Sequence, residues 1–119
     1  MIQLSPQTRI FVFSESVDFR NGLDGLVALA KRKTGEDPFS GALFLFRNRK
    51  RTAIKAVAYD GQGFWLFMKR LSEGKFQHWP RASTDGACAK LLARELSVLL
   101  WNGDPHQARM RDDWKKLAP

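Results

Sequence analysis

Residues 42–60 read ALFLFRNRKRTAIKAVAYD, and this stretch decides the fold because two apolar runs flank a short, strongly basic centre. The apolar runs predict strands over residues 42–47 and 52–60, joined by a tight turn. Four of the five residues in 47–51 are Lys or Arg. Because burying unpaired charge is costly, the turn must project into solvent or onto a polyanion. Basic turns on a rigid sheet commonly contact phosphate backbones.

The segments on either side of this hairpin extend the predicted sheet. Residues 9–14 predict a first strand, and residues 63–70 and 76–79 predict two more, bounded by Asp-Gly and Glu-Gly turns. Apolar residues at helical spacing predict helices over residues 22–33 and 88–101. We therefore predict an α+β fold, in which an antiparallel meander of four to five strands packs against one or two helices.

Length and composition indicate a packed globular protein. The 119 residues fit a single domain over 1–119, and the Asn-Gly-Asp-Pro break sets residues 102–119 apart as a candidate C-terminal helical tail. The single Cys88 excludes an internal disulfide and a thiolate metal cluster, and it fits a reducing compartment. No apolar run approaches the roughly 20 residues of a membrane span, and no signal peptide pattern precedes the first strand. We expect a cytoplasmic protein with no membrane partner.

The positive charge lies in the middle of the chain. Residues 31–81 carry a formal charge of +8, whereas residues 1–30 carry −1 and residues 82–119 carry +1. The sequence pI of about 10.2 makes nucleic acid the leading class of partner. The alternative is a Lys/Arg-rich face that serves only solubility.

The candidate DNA-binding residues are the cations of the predicted hairpins. They are Arg47, Arg49, Lys50, Arg51, Lys55, Lys69, Arg70, Lys75 and Arg81. Three aromatic residues among them, Tyr59, Trp65 and Trp79, form a candidate stacking or partner surface, because aromatics interleaved with cations can stack bases. The alternative for each aromatic is core packing. Trp79, at a strand end before a proline, is the one most readily placed at the surface.

Catalytic and metal-binding patterns are weak in this sequence. Phosphoryl transfer on DNA usually needs carboxylates that converge on a divalent metal, yet Asp18, Asp24 and Asp60 share no obvious face. His78 has no nucleophilic partner at a known spacing, and Cys88 is best explained as a small core residue. We predict that the protein is not an enzyme and has no metal, cofactor or small-molecule substrate. A cryptic nuclease using Asp18 or Asp60 is the remaining catalytic hypothesis.

Several motifs in register resemble one known family. Residues 17–26 are similar to the signature D-[MF]-R-x-G-x-D-G-L, and further matches follow in order at residues 37–41, 43–49, 54–55, 59–63, 66–71, 74–76 and 79–80. Together they resemble TnpB, the small accessory protein of the IS66 family of insertion sequences, whose name is shared with unrelated RNA-guided nucleases. The resemblance covers residues 9–80, and nothing is carried over from it for residues 102–119.

The resemblance implies a role in DNA transposition, beside a separate and larger transposase that performs the strand chemistry. The signature residues Asp18, Arg20, Asp24 and Asp60 have no assigned role. For the first three we favour an ion-pair network that fixes the helix start, with a recognition site for the transposase as the alternative. Our main hypothesis is a non-enzymatic accessory factor that binds DNA through a basic hairpin. The alternative is a module that docks on the transposase without contacting DNA. Specific and nonspecific binding, and RNA as well as DNA, are compatible with the sequence.

Overall fold

A computed structural model describes residues 4–82 and 86–105 of the chain. Its five strands and two α-helices confirm the predicted α+β class. In chain order the elements are β1 (Ile10–Phe13), α1 (Leu23–Thr34), a 3-10 turn (Pro38–Ser40), β2 (Leu43–Arg47), β3 (Ala53–Tyr59), β4 (Phe64–Arg70), β5 (Cys88–Leu91) and α2 (Ala93–Leu100). Neither helix in this part of the chain is long and apolar enough to cross a membrane.

The five strands form one sheet in the order β4-β3-β2-β1-β5. β2, β3 and β4 form the predicted antiparallel meander. β1 and β2 pair in parallel, so the sheet is mixed and not antiparallel throughout. The reason is that α1 follows β1 and crosses back over the sheet, which returns the chain to the end at which β1 began.

Both faces of the central strands are buried. Because successive side chains of a strand alternate between faces, an uninterrupted apolar strand fills two cores. The core on the α1 side contains Phe11, Phe13, Leu26, Ala30, Phe44 and Phe46. The core on the α2 side contains Ile10, Val12, Leu43, Leu45, Leu96 and Leu99. This two-sided burial explains why the sequence of β2 shows no alternation of polar and apolar residues.

Two predicted elements differ from the structure. Residues 76–79 are not a strand, because Phe76 is buried in the core and its N–H donates to the Arg51 carbonyl at 2.8 Å. Cys88–Leu91, the start of the predicted second helix, instead pair with β1 as β5. α2 begins only at Ala93, where the Glu95 carboxylate accepts a hydrogen bond from the N–H of Leu92 at 2.7 Å. Residues 106–119 of the predicted tail lie outside the described residues.

Candidate nucleic-acid interface

Two turns meet at one end of the sheet and place several cations together. The first is the β2–β3 turn, residues 48–52, and the second is the segment that follows β4, residues 71–75. The N–H of Leu71 donates to the Thr52 carbonyl at 2.9 Å, which joins the two turns. The exposed cations here, which we call the basic end of the sheet, are Arg49, Lys50, Arg51, Arg70 and Lys75.

Asn48 holds the β2–β3 turn in shape. Its Oδ1 accepts hydrogen bonds from the N–H groups of Thr52 at 2.9 Å and Ala53 at 3.2 Å. Its carbonyl accepts from the N–H of Arg51, a residue in the left-handed region with a φ of 58°. Asn side chains commonly stabilise turns in this way. Asn48 is the one uncharged residue among residues 47–51, and an Asn in a tight turn is itself a signal of such a framework.

Arg47 lies beside the basic end, but its side chain is only partly exposed and bonds to the main chain. Its half-buried guanidinium donates from Nε to the Ser14 carbonyl at 3.2 Å and from Nη1 to the Asn48 carbonyl at 3.3 Å. Burial lowers the pKa of Arg47 from its usual value, and the charge of Arg51 lowers it further, whereas Glu15 raises it. The lowering by Arg51 reflects the closeness of two positive charges at this turn.

Lys55 and Lys69 belong to the predicted DNA-binding set, but the structure uses both ammonium groups internally. Lys55 Nζ donates to the carbonyls of Phe19 at 2.9 Å and Asn21 at 3.1 Å, on the α1 side. Lys69 Nζ donates to the Leu100 carbonyl at 2.5 Å, where it neutralises the negative end of α2. Both lysines therefore lie apart from the turn cations, because strand side chains point to the faces of the sheet and not to its end. Their contact with DNA remains a prediction.

Arg81 lies on a separate loop near the end of β1. The residue is exposed, and the N–H of the next residue, Ala82, donates to the Ser14 hydroxyl. Ser14 also receives the Arg47 guanidinium, so the loop of Arg81 adjoins the basic end. Arg81 therefore remains a candidate at the margin of the surface.

The three candidate aromatics are not brought together. Tyr59 packs on Phe64 with ring centroids 5.0 Å apart, at the end of the sheet opposite the basic end. Trp65 is 40% exposed, and its Nε1 donates to Asp60 Oδ2 at 2.6 Å. Trp79, predicted as the most accessible, is half-buried and donates from Nε1 to the Phe13 carbonyl at 2.8 Å. A proline after an aromatic therefore did not mark a surface position here.

The signature acids make local contacts. The Asp18 carboxylate receives Nη2 of Arg20 at 2.6 Å and the backbone N–H of Arg20 at 2.9 Å. These bonds, the side-chain one first, lower the pKa of Asp18 to about 2. Asp24 lies in the first turn of α1, where a negative charge complements the helix dipole. Asp18 thus pairs with Arg20 just before the helix start. A network of all three signature residues and a recognition site for the transposase both remain predictions.

A shared carboxylate centre does not form between Asp18 and Asp60. Asp18 follows Val17, whose N–H donates to the Arg47 carbonyl at the carboxyl end of β2. Asp60 lies at the opposite end, where its Oδ1 accepts from the N–H groups of Gln62 and Gly63 and its pKa is lowered by those bonds. Within residues 4–82 and 86–105, no group of three or more His, Cys, Asp or Glu side chains could hold a metal ion.

Cys88 has the properties of a core residue. It packs against the α1-side core, and burial raises the pKa of its thiol to about 11. A thiol with so high a pKa is protonated at neutral pH and is a poor nucleophile.

The fold and the basic end define a small α+β protein with a cationic loop surface. The chain belongs to the family described as IS66 Orf2 like protein, whose model matches residues 8–110. It is 41% identical over 100 residues to the uncharacterized protein y4jC of Sinorhizobium fredii, covering 84% of this chain and 83% of that protein. It is 33% identical over 100 residues to the uncharacterized protein y4hO of the same organism, covering 84% of each. No solved structure matches.

Membership of this family confirms the resemblance seen in the sequence. It gives the chain an accessory role in the transposition of IS66-type insertion sequences.

Proposed function

We propose that this accessory protein is not an enzyme and binds DNA through the basic end of its sheet. The observation that carries the proposal is the convergence of exposed cations from two turns joined by main-chain hydrogen bonds. Leu71 N–H to Thr52 C=O at 2.9 Å and Phe76 N–H to Arg51 C=O at 2.8 Å hold the turns in fixed relation. A surface that is already ordered loses less conformational entropy on binding than a flexible basic tail would.

The charge at this end is large enough to attract a polyanion. Residues 48–52 and 70–75 together carry a formal charge of +4, with Glu73 as their one acid. Charges within about 8 Å of each other act together at physiological salt, because that is the Debye length. At the opposite end of the sheet, Arg9 pairs with Glu36 at 2.8 Å. Residues 31–37, which hold the last turn of α1 and the segment after it, carry a formal charge of only +1, because Glu36 and Asp37 offset two of their three cations. The asymmetry favours a DNA contact at the basic end over a uniformly solvated surface.

Salt dependence gives the proposal a quantitative form. Each phosphate neutralised by Lys or Arg contributes about −0.9 to the slope of log affinity against log salt concentration. Five cations at the basic end therefore predict a slope of about −4 to −5 for duplex DNA. Lys and Arg contacts to phosphate fix position and orientation, and they do not read base sequence directly.

The test is a titration of the full chain into two labelled duplexes of equal length and base composition. One carries the terminal inverted repeat of the parent element and the other a scrambled sequence, and each is measured across a salt series. Equal affinity with the expected slope identifies a nonspecific DNA clamp, whereas tighter binding to the repeat identifies an end-recognition factor. No binding to either duplex near physiological salt would refute DNA binding.

A second candidate function rests on an apolar groove between α2 and β4. The groove has a volume of about 350 Å³ and is lined by Leu45, Ile54, Ala56, Phe67, Leu96 and Leu100, among others. Such a groove could receive an apolar segment of the transposase, with the positive charge serving only solubility. The decisive observation is a complex of the two proteins without DNA. If docking is the function, Ala56→Phe, which fills the groove, abolishes that complex, and Arg49→Gln leaves it intact.

A further inference from the structure

β4 is an exposed and apolar edge strand. Among the residues that the structure describes, β4 and β5 form the two edges of the sheet, with seven and four residues respectively. Natural edges are usually short, charged, bulged, covered or interrupted by proline, since open edges promote association. The centre of β4 has no charge and no proline, and its four residues are 40–55% exposed, namely Trp65, Leu66, Phe67 and Met68.

The pairing of β3 with β4 determines which N–H and C=O groups of β4 point outward, away from the sheet. Asp60 N–H donates to Gly63 C=O at 3.0 Å at one end, and Leu71 N–H donates to Thr52 C=O at 2.9 Å at the other. Hydrogen-bonded and non-hydrogen-bonded pairs alternate along an antiparallel ladder. The residues between these ends that bond to β3 are therefore Trp65, Phe67 and Lys69. The residues whose N–H and C=O groups are open are Phe64, Leu66, Met68 and Arg70.

We propose that β4 pairs with the β4 strand of a second copy of this chain, antiparallel and about a twofold axis at Phe67. Phe67 is the midpoint of Phe64–Arg70, so this register uses the whole strand. Leu66 then lies opposite the partner's Met68, and Phe64 lies opposite the partner's Arg70. These are the residues with open main-chain groups, so the register forms a regular ladder.

The side chains on the α2 side fit the same register. Trp65, Phe67 and Lys69 share the face of their β3 partners Ala58, Ala56 and Ile54. In the dimer, Phe67 lies opposite the partner's Phe67, and Trp65 lies opposite the partner's Lys69. Aromatic pairs are favourable across strands. The Lys69 ammonium stays on the Leu100 carbonyl of its own chain, so this pair contributes through contact of the lysine stem with the indole ring. On the other face, Leu66 and the partner's Met68 form an apolar pair.

The register also keeps like charges apart. Lys69 and the partner's Lys69 are offset by four residues, which is roughly 13 Å along the strand. That distance exceeds the Debye length of about 10 Å at 0.1 M salt. Each copy nevertheless carries a net charge of +8, so salt should strengthen the pairing by screening long-range repulsion. DNA binding has the opposite salt dependence, and the pairing does not depend on it.

The exposed area predicts a weak dimer. Large aromatic and aliphatic side chains present about 150–250 Å² each, so four that are 40–55% exposed contribute on the order of 350 Å² per copy. A standard stable interface buries about 800 Å² per partner. The strand backbone and the flanking residues of β4 supply part of the difference. We therefore expect a dimer that dissociates on dilution and not an obligate one.

A pair of cysteine variants tests the register directly, in a Cys88→Ser background. Phe67→Cys places two thiols in a non-hydrogen-bonded pair with Cα atoms roughly 4.5 Å apart, within the range that a disulfide spans. The neighbouring Leu66→Cys is the control, because its thiol is offset from its symmetry mate by two residues and its Cα atoms are roughly 8 Å apart. We expect a disulfide-linked dimer from Phe67→Cys under mild oxidation and none above background from Leu66→Cys. Equal linkage in both variants would overturn the register.

Sedimentation equilibrium of the full chain tests the association itself. The wild-type mass should rise from 13.6 kDa to twice that value with concentration, and more readily at high salt. Met68→Pro removes an open N–H twice per dimer without touching the β3 ladder, so it should weaken association by about ten- to a hundredfold. Leu92→Ser, an exposed apolar residue beside the opposite edge, should leave association unchanged. A monomer at all concentrations, open-ended aggregates, or equal weakening by Leu92→Ser would each refute the proposal.

Discussion

Replacing Arg49, Lys50 and Arg51 together by glutamine should weaken duplex binding by about a hundredfold at physiological salt. It should also reduce the slope of log affinity against log salt by about 2.7, since three phosphate contacts are lost at about 0.9 each. Glutamine keeps the polarity of the turn, and Asn48, which holds the turn by hydrogen bonds to Thr52 and Ala53, is unchanged. The loss should be equal for all duplex sequences, because phosphate contacts carry no base information.

A matched variant removes the same charge from outside the basic end. Lys31, Arg32 and Lys33 are exposed residues in the last turn of α1, which is not part of the two turns that form the basic end. Their replacement by glutamine also lowers the net charge by three. We expect this variant to keep the wild-type slope, provided that circular dichroism shows an intact helix. Equal losses in the two triple variants would mean that DNA responds to total charge and not to the basic end.

The β2–β3 hairpin could be predicted from the sequence because all of its determinants are local. Two apolar runs and a polar turn containing Asn48 lie within residues 42–60, and their pairing needs no distant partner. β5 could not be predicted in this way. Its residues, Cys88–Leu91, precede leucines at helical spacing, so the local pattern predicts a helix. In the structure these four residues pair instead with the four residues of β1. Tertiary pairing outweighed the local helical preference at this position.

The segment after β4 also could not be predicted from local sequence. Phe76 alternates with polar neighbours and so predicted a strand, yet its neighbours bond to Asn102 across the sequence. The Gln77 N–H donates to Asn102 Oδ1 at 2.8 Å, and Asn102 Nδ2 donates to the Lys75 carbonyl at 2.9 Å. A contact between residues this far apart has no signature in a single sequence.

The candidate cations could have been divided further from the sequence alone. Lys55 and Lys69 fall inside predicted strands, where the period of two directs side chains to the faces of the sheet. Arg49, Lys50 and Arg51 fall in a predicted turn, where side chains project from its end. The sequence could not predict the carbonyls to which Lys55 and Lys69 donate. Those carbonyls belong to the segment before α1 and to α2, which are distant in sequence.

Lys55→Met should lower the free energy of unfolding by about 1.5–3 kcal/mol, the usual range for hydrogen bonds to a charged group. The ammonium bonds the carbonyls of Phe19 and Asn21 and lies 5.0 Å from the Phe19 ring centroid, so it fastens the signature segment to the sheet. Methionine keeps the apolar stem and removes these bonds. Urea unfolding measures the change, and Lys50→Met at the exposed turn should stay within about 0.5 kcal/mol of wild type.

The same lysine pair separates folding from DNA binding. Below its denaturation midpoint, Lys55→Met should retain the wild-type salt slope, since its ammonium is engaged by the protein. Lys50→Met should keep its stability and lose about 0.9 from the slope, since its ammonium is exposed at the basic end. The two variants differ only in where one positive charge is removed. A stable Lys55→Met protein with a reduced slope would return this residue to the DNA-binding surface, and the division between strand and turn cations would then be wrong.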